Sequence, residues 1–212
     1  VIDPAHWPLV RLLPEAAGRA LRAGLASAGV GWHLDTVVER IDRAGAAYAV
    51  TLASGARLEA DLVLSAVGLR PRTALAKAAG LDAARGIKVD RFLQASREAV
   101  YALGDCAEVE GLVLPYVMPI MHAGRALART LAGQLTAARY PPMPVVVKTP
   151  AHPVVVAPPH PRASGQWRCE PAGRGVRCLF HGPGGRLLGF ALTGGAVAEK
   201  QALTRELPPL LA

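Results

Sequence analysis

Two short apolar runs, each closed by a glycine, hold the residues with the clearest chemical potential. Tyr101-Ala102-Leu103-Gly104-Asp105-Cys106 reads as a buried strand that delivers Gly104 and Asp105 to the carboxyl end of a sheet. Open α/β sheets bind their ligands at that edge. Glycine allows close backbone approach, and an aspartate there accepts hydrogen bonds from sugar or polyol hydroxyls; an Asp that only caps a turn is the competing reading. Fourteen residues on, Pro119 opens a helix over 119–131. Its start presents unsatisfied N–H groups and partial positive charge, which suit an anionic group. Leu127 and Leu131 equally fit an ordinary amphipathic helix, and both readings can hold together. The earlier run, 62–67, ends at Gly68 and has no polar alternation, the mark of a strand buried on both faces.

The elements that must position these residues are legible as patterns. A helix begins at Pro14, carries Leu21, Leu25 and Ala28 at helical spacing and stops at Gly29. Trp32-His33-Leu34 begins a short strand. An antiparallel meander follows, with turns at 43–45 and at Ser54-Gly55. A short helix spans 73–79, and Ile87 and Val89 start another strand. The Pro-rich stretch 140–144 changes the character of the chain and sets a boundary near 138. Beyond it come strands at 145–147, 153–157, 166–170, 176–180 and 187–192, then a helix over 196–206.

Composition narrows the function classes. Hydrophobic residues make up 51% of the 212 and charged residues 19%, a globular balance. The formal net charge is +8. Arginine is scattered without a basic run or aromatic interleaving, which argues against nucleic acid; no basic amphipathic helix points to a membrane surface. A field that attracts an acidic partner or an anionic cofactor remains, beside the bland alternative of a soluble, Arg-rich surface. The three cysteines, Cys106, Cys169 and Cys178, have no CxxC spacing and suggest no metal site. Their odd, low number fits a reducing cytoplasm. Cys169 and Cys178 flank a turn and can face each other across a hairpin; reduced thiols are expected there.

Val67-Gly68-Leu69-Arg70-Pro71 followed by Tyr101-Ala102-Leu103-Gly104-Asp105 resembles the glutathione-reductase-like flavoproteins. Leu114-Pro115-Tyr116-Val117-Met118-Pro119, Val147-Lys148-Thr149-Pro150 and Pro153-Val154-Val155-Val156-Ala157-Pro158-Pro159 extend the likeness to the bacterial rubredoxin reductases over essentially the whole chain. One departure is His152, where that pattern carries Cys. The resemblance implies an α/β architecture: incomplete NAD-binding and FAD-binding Rossmann-like domains, then a smaller α+β C-terminal domain. The segments would be 1–68 (NAD-binding), 69–138 (FAD-binding) and 139–212 (C-terminal).

It also implies roles. Asp105, presented beside Gly104, would hold the ribityl chain of FAD. The backbone of Val117 and Met118 would meet the flavin ring, and Gly68 would pass beside the nicotinamide. Lys148 would be the catalytic residue, a cation near flavin and nicotinamide; alone it reads as a solvated strand lysine. Asp3, at the end of what would be the second strand of a dinucleotide fold, would bind the adenosine ribose and favour NAD over NADP, since no Arg follows until Arg11. An Asp opening an Asp-Pro turn is the alternative.

No GxGxxG fingerprint occurs here, so this sequence looks like a C-terminal portion whose phosphate cradles lie upstream, and by itself it is expected to be inactive. The activity implied for the intact enzyme is electron transfer from NADH through FAD to rubredoxin or a similar small acidic redox protein. Alternatives are a ferredoxin reductase, a nitrite-reductase-type NADH module, or a non-catalytic docking domain.

Overall fold

A computed structural model describes residues 1–212. The chain combines helices with mostly antiparallel strands in two compact units, one built from 1–65 and 144–207, the other from 66–143 and 208–212.

The first unit is organised around a five-stranded antiparallel sheet in the order β6-β7-β10-β9-β8: β6 (Val145–Val147), β7 (Val154–Ala157), β8 (Gln166–Ala172), β9 (Gly175–His181) and β10 (Leu187–Thr193). The strand repeat of two sorts its apolar residues between two faces. Val154, Val156, Cys178 and Ala191 lie in one core with Leu13, Ala17 and Leu21; Val155, Ala157, Phe190 and Leu192 lie in another with Leu203. A central strand covered on both sides needs no polar alternation, which is why β7 and β10 read as continuous apolar runs.

One face is covered by α1 (Glu15–Ala26), which buries Ala17, Gly18 and Leu21. Its first turn is braced by Glu15 and Arg19 four residues apart, 2.7 Å between charges. The Trp7 ring lies where a Cβ on Gly18 would stand, and its indole N–H donates to the Leu13 carbonyl at 3.0 Å. The other face is covered by a 3-10 turn, Gly194–Glu199, running into α4 (Lys200–Glu206). The remaining piece of this unit is a three-stranded antiparallel meander, β1 (Val38–Ala44), β2 (Ala47–Leu52) and β3 (Arg57–Ala60).

The second unit holds α2 (Ala74–Ala78), the parallel pair β4 (Ile87–Val89) and β5 (Ala107–Val109), and α3 (Val117–Leu131). Ala123, Ala126 and Leu127 of α3, at helical spacing, share a core with Val89, Leu93, Ala107, Val109 and Tyr140. Gly86 lies so close to the Cys106 carbonyl that a Cβ would stand 2.8 Å from that oxygen.

Three expected strands did not form. Residues 62–67 adopt no regular structure, and Leu62, Leu64 and Val67 are 80%, 82% and 95% exposed. A strand of this composition is held only by neighbours on both edges and layers on both faces, and no segment of this chain supplies them. Residues 100–103 form no strand either: Tyr101 makes one isolated bridge to Gln94, and the Ala102 amide donates to the Leu93 carbonyl. Trp32-His33-Leu34 contributes only a bridge from His33 to Ile2.

Candidate functional site

Five of the residues singled out from sequence fall in the second unit. Gly68 adopts φ +96 within the exposed 62–70 stretch. Gly104 adopts φ +83, a left-handed conformation that a side chain would strain. Its carbonyl accepts from the Ala107 amide at 3.0 Å, so Gly104 and Asp105 form a tight turn leading into β5 and do not close a strand. The Asp105 carboxylate is exposed and has no hydrogen-bond or ion-pair partner. Val117 and Met118 form the first turn of α3, 70% and 51% exposed. Tyr116, at the N-cap, offers that turn no side-chain hydrogen bond, so its first amides are free to meet a ligand. Burial raises the Tyr116 phenol above its ordinary value, and burial with the nearby Tyr116 does the same for Tyr140.

Asp3 and Lys148 belong to the first unit. The Asp3 Oδ1 accepts from the Ala5 amide at 2.8 Å, and the Asp3 amide donates to the His33 carbonyl at 3.0 Å. The turn reading of Asp3 is therefore realised, with Oδ2 left over. Lys148 follows β6 directly; it is exposed and makes no ion pair. It precedes a tight turn in which the Thr149 hydroxyl donates to the His152 carbonyl at 2.7 Å and the His152 amide to the Thr149 carbonyl at 3.1 Å.

His152, which sequence marked only as a departure, is 7% exposed, and its Nε2 has no partner. Desolvation by burial lowers its pKa from the ordinary 6.5. The ring rests on α1 at Gly24. It lines a cleft of about 690 Å³ together with Ser27, Arg174, Gly194 and Gly195. A second cleft, about 440 Å³, is lined by Ser164, Gln166, Arg168 and His181. None of the residues given a cofactor or catalytic role lines either cleft. No group of three His, Cys, Asp or Glu side chains is arranged to hold a metal ion.

The expectation of reduced thiols at Cys169 and Cys178 is corrected. The two face each other across β8 and β9, as their spacing about the turn suggested, and they are joined as a disulfide. They stand directly opposite each other in the register, with 4.0 Å between their Cα atoms.

Comparison with known families decides the lineage. Residues 1–130 match the model described as pyridine nucleotide-disulphide oxidoreductase. The chain belongs to that family. Residues 137–207 match a second model, described as rubredoxin binding C-terminal domain. A rubredoxin-NAD(+) reductase of Alcanivorax borkumensis is 50% identical over 212 residues, covering all of this chain and 56% of that protein. A second, of Acinetobacter baylyi, is 47% identical over 206 residues, covering 96% of this chain and 52% of its own length. The chain thus spans about half the length of the curated relatives it matches. Among solved structures, the ferredoxin reductase of the CYP199A2 system from Rhodopseudomonas palustris superposes with a TM-score of 0.82 at 23% identity, over 98% of this chain and 54% of its own. A putidaredoxin reductase in covalent complex with putidaredoxin gives 0.82 at 22%, over 98% and 52%. At such identities these two establish the fold alone.

Membership of this family implies FAD and NAD, and the residues present fit them. Asp105 is an unpaired, exposed carboxylate, the first turn of α3 is uncapped beside exposed apolar side chains, and Lys148 is an unpaired cation. An exposed aspartate at no cleft does not by itself reveal a polyol site.

Proposed function

We propose that the protein carrying this chain is a cytoplasmic flavoprotein reductase that passes electrons from NADH through FAD to rubredoxin or a similar small acidic electron-transfer protein. The observation that carries the proposal is the pairing, in one chain, of an oxidoreductase match over 1–130 with a rubredoxin-binding match over 137–207. Within this chain we place NAD-binding, FAD-binding and C-terminal segments divided at 68 and 138, the second division lying beside the step between the two matched ranges.

FAD, when bound, supplies the redox chemistry. The chain's own residues supply binding and electrostatics. Asp105 accepts hydrogen bonds from the ribityl hydroxyls; the turn held by Gly104 presents that carboxylate free of a protein partner. Val117 and Met118 exclude water from the ring face, and the free amides of their turn favour negative charge at its edge. Lys148 adds a full cation where negative charge develops. Asp3 offers Oδ2 to the adenosine ribose. Gly68, having no side chain, leaves room beside the nicotinamide.

The test is rubredoxin reduction driven by NADH, using protein of the relatives' full length loaded with FAD. Rubredoxin bleaches if the reading holds. Flavin that NADH reduces while rubredoxin stays oxidised would refute the assigned partner. Lys148→Ala is expected to lower kcat about tenfold, about 1.4 kcal/mol of barrier, with Lys148→Arg retaining most of the rate. Asp105→Ala is expected to weaken FAD retention, read as loss of flavin absorbance on gel filtration.

A further inference from the structure

Of the three cysteines, two sit in a geometry that the proposed electron path does not use. Cys169 lies on β8, the outermost strand of the five-stranded sheet, and is exposed. Cys178 lies opposite on β9, 0% exposed, within the core formed with Leu13, Ala17 and Leu21. We propose that Cys169 and Cys178 form a reversible dithiol–disulfide site that exchanges with small disulfides of the oxidised-glutathione class.

The hairpin does not need the bond to keep its register. On one side of the pair Glu170 stands opposite Arg177, with 2.9 Å between carboxylate and guanidinium. On the other, beyond one further pair, Trp167 stands opposite Phe180 in an edge-on aromatic contact at 5.4 Å between ring centres. Backbone pairing runs from Gln166↔His181 to Ala172↔Gly175. Register is thus specified on both sides of the sulfurs, so the bond can open and close without unfolding the strands. In the cytoplasm of the proposed function, where thiols are kept reduced, the disulfides that do form are mostly transient and redox-active.

Access fixes the order of events. Cys169 meets solvent, and its thiolate attacks one sulfur of the small disulfide. A mixed disulfide forms on Cys169 and one small thiolate leaves, taking up a proton. Cys178 then attacks the Cys169 sulfur, gives its proton to the second departing small thiolate and closes the protein disulfide. Two protein thiols are oxidised by two electrons, and one small disulfide is reduced to two thiols. In reverse, an external thiolate reaches only Cys169, and the leaving sulfur is Cys178 in an apolar core that disfavours a thiolate. Because Cys178 must also be a thiolate when it attacks, the same core slows closing and opening alike.

The test equilibrates the full chain in mixtures of oxidised and reduced glutathione, quenches with acid, alkylates and reads the modified cysteines by mass spectrometry. Cys106, the free cysteine, stays alkylatable throughout, while Cys169 and Cys178 lose and gain reactivity together. Far-UV circular dichroism stays unchanged between the two forms, and Tm drops by a few degrees on reduction. Cys178→Ser, or Cys178→Ala should the polar residue unfold the core, accumulates a glutathione adduct on Cys169 at least tenfold above any adduct on Cys178 in Cys169→Ser. Two outcomes overturn the proposal: both thiols remaining alkylatable in every mixture, or a disulfide that opens only when the hairpin unfolds. The thiol count of the unaltered chain decides between them without any variant.

Discussion

Gly24 and His152 form a contact that neither residue type advertises. The imidazole occupies the place where any side chain on Gly24 would begin: a Cβ there would stand 2.5 Å from the ring. Gly24→Ala is expected to destabilise the chain by roughly 1–3 kcal/mol, the usual cost of overpacking, read as a lower urea midpoint. His152→Ala in the same background should recover part of that loss, because the ring is the obstacle. Burial also gives His152 a pH signature. Its folded-state pKa lies below its unfolded value, so the unfolded chain binds more protons in the interval between the two. Stability is therefore full above pH 6.5 and falls as the pH drops from 6.5 toward the lowered value. Urea titrations on the two sides of that window should show the fall in the natural chain and a smaller one in His152→Cys; equal falls would exclude His152 as the source.

Among the elements, the β8–β9 hairpin and β10 concentrate the stabilising interactions. Arg177 reaches across the hairpin to Glu170 and to Glu199 at the end of the 3-10 turn, with contacts of 2.9 and 2.8 Å. The hydrogen bond to Glu199 is the larger cause of its raised pKa. At 28% exposure the Arg177 side chain is largely removed from water, so Arg177→Ala is expected to cost about 1–2 kcal/mol. Phe190 is fully buried where β10 meets the α4 side of the sheet; Phe190→Ala should cost about 3–5 kcal/mol, measured by the same denaturation. The C-terminal strands were legible because each carries its own bounding turn and an apolar pattern satisfied inside the chain. The runs 62–67 and 100–103 show the opposite case. Their composition encodes burial, yet burial is a relation to other segments, and this chain supplies none that cover 62–67.

At the scale of the molecule, the relevant property is charge. The chain carries +8 in all, and ion pairs neutralise few of its arginines, among them Arg19, Arg40 and Arg177. A field of this kind speeds encounter with an acidic partner and is screened by salt. In the full-length, FAD-loaded protein, kcat/KM for rubredoxin should fall several-fold as ionic strength rises from about 0.01 to about 1 M, where the Debye length shrinks from about 30 to about 3 Å. A flat response would remove steering from the account while leaving the electron path untouched. No helix is long and apolar enough to cross a membrane.

The amino-acid sequence alone determined the family, through paired Gly-containing segments at a characteristic separation, and it determined the C-terminal sheet, whose strands alternate or run apolar according to how many faces they bury. It also showed that Cys169 and Cys178 flank a hairpin turn and can face each other across it, and the strand register then set them opposite. Tertiary structure decided what depends on distant segments: that His152 rests on Gly24, that the cysteines bond, that Asp3 is already engaged by the Ala5 amide, and that 62–67 stays uncovered. The physical reason is range. Turns, spacing and periodicity act within about ten residues, whereas burial and desolvation are set by whichever parts of the chain come to lie against a side chain.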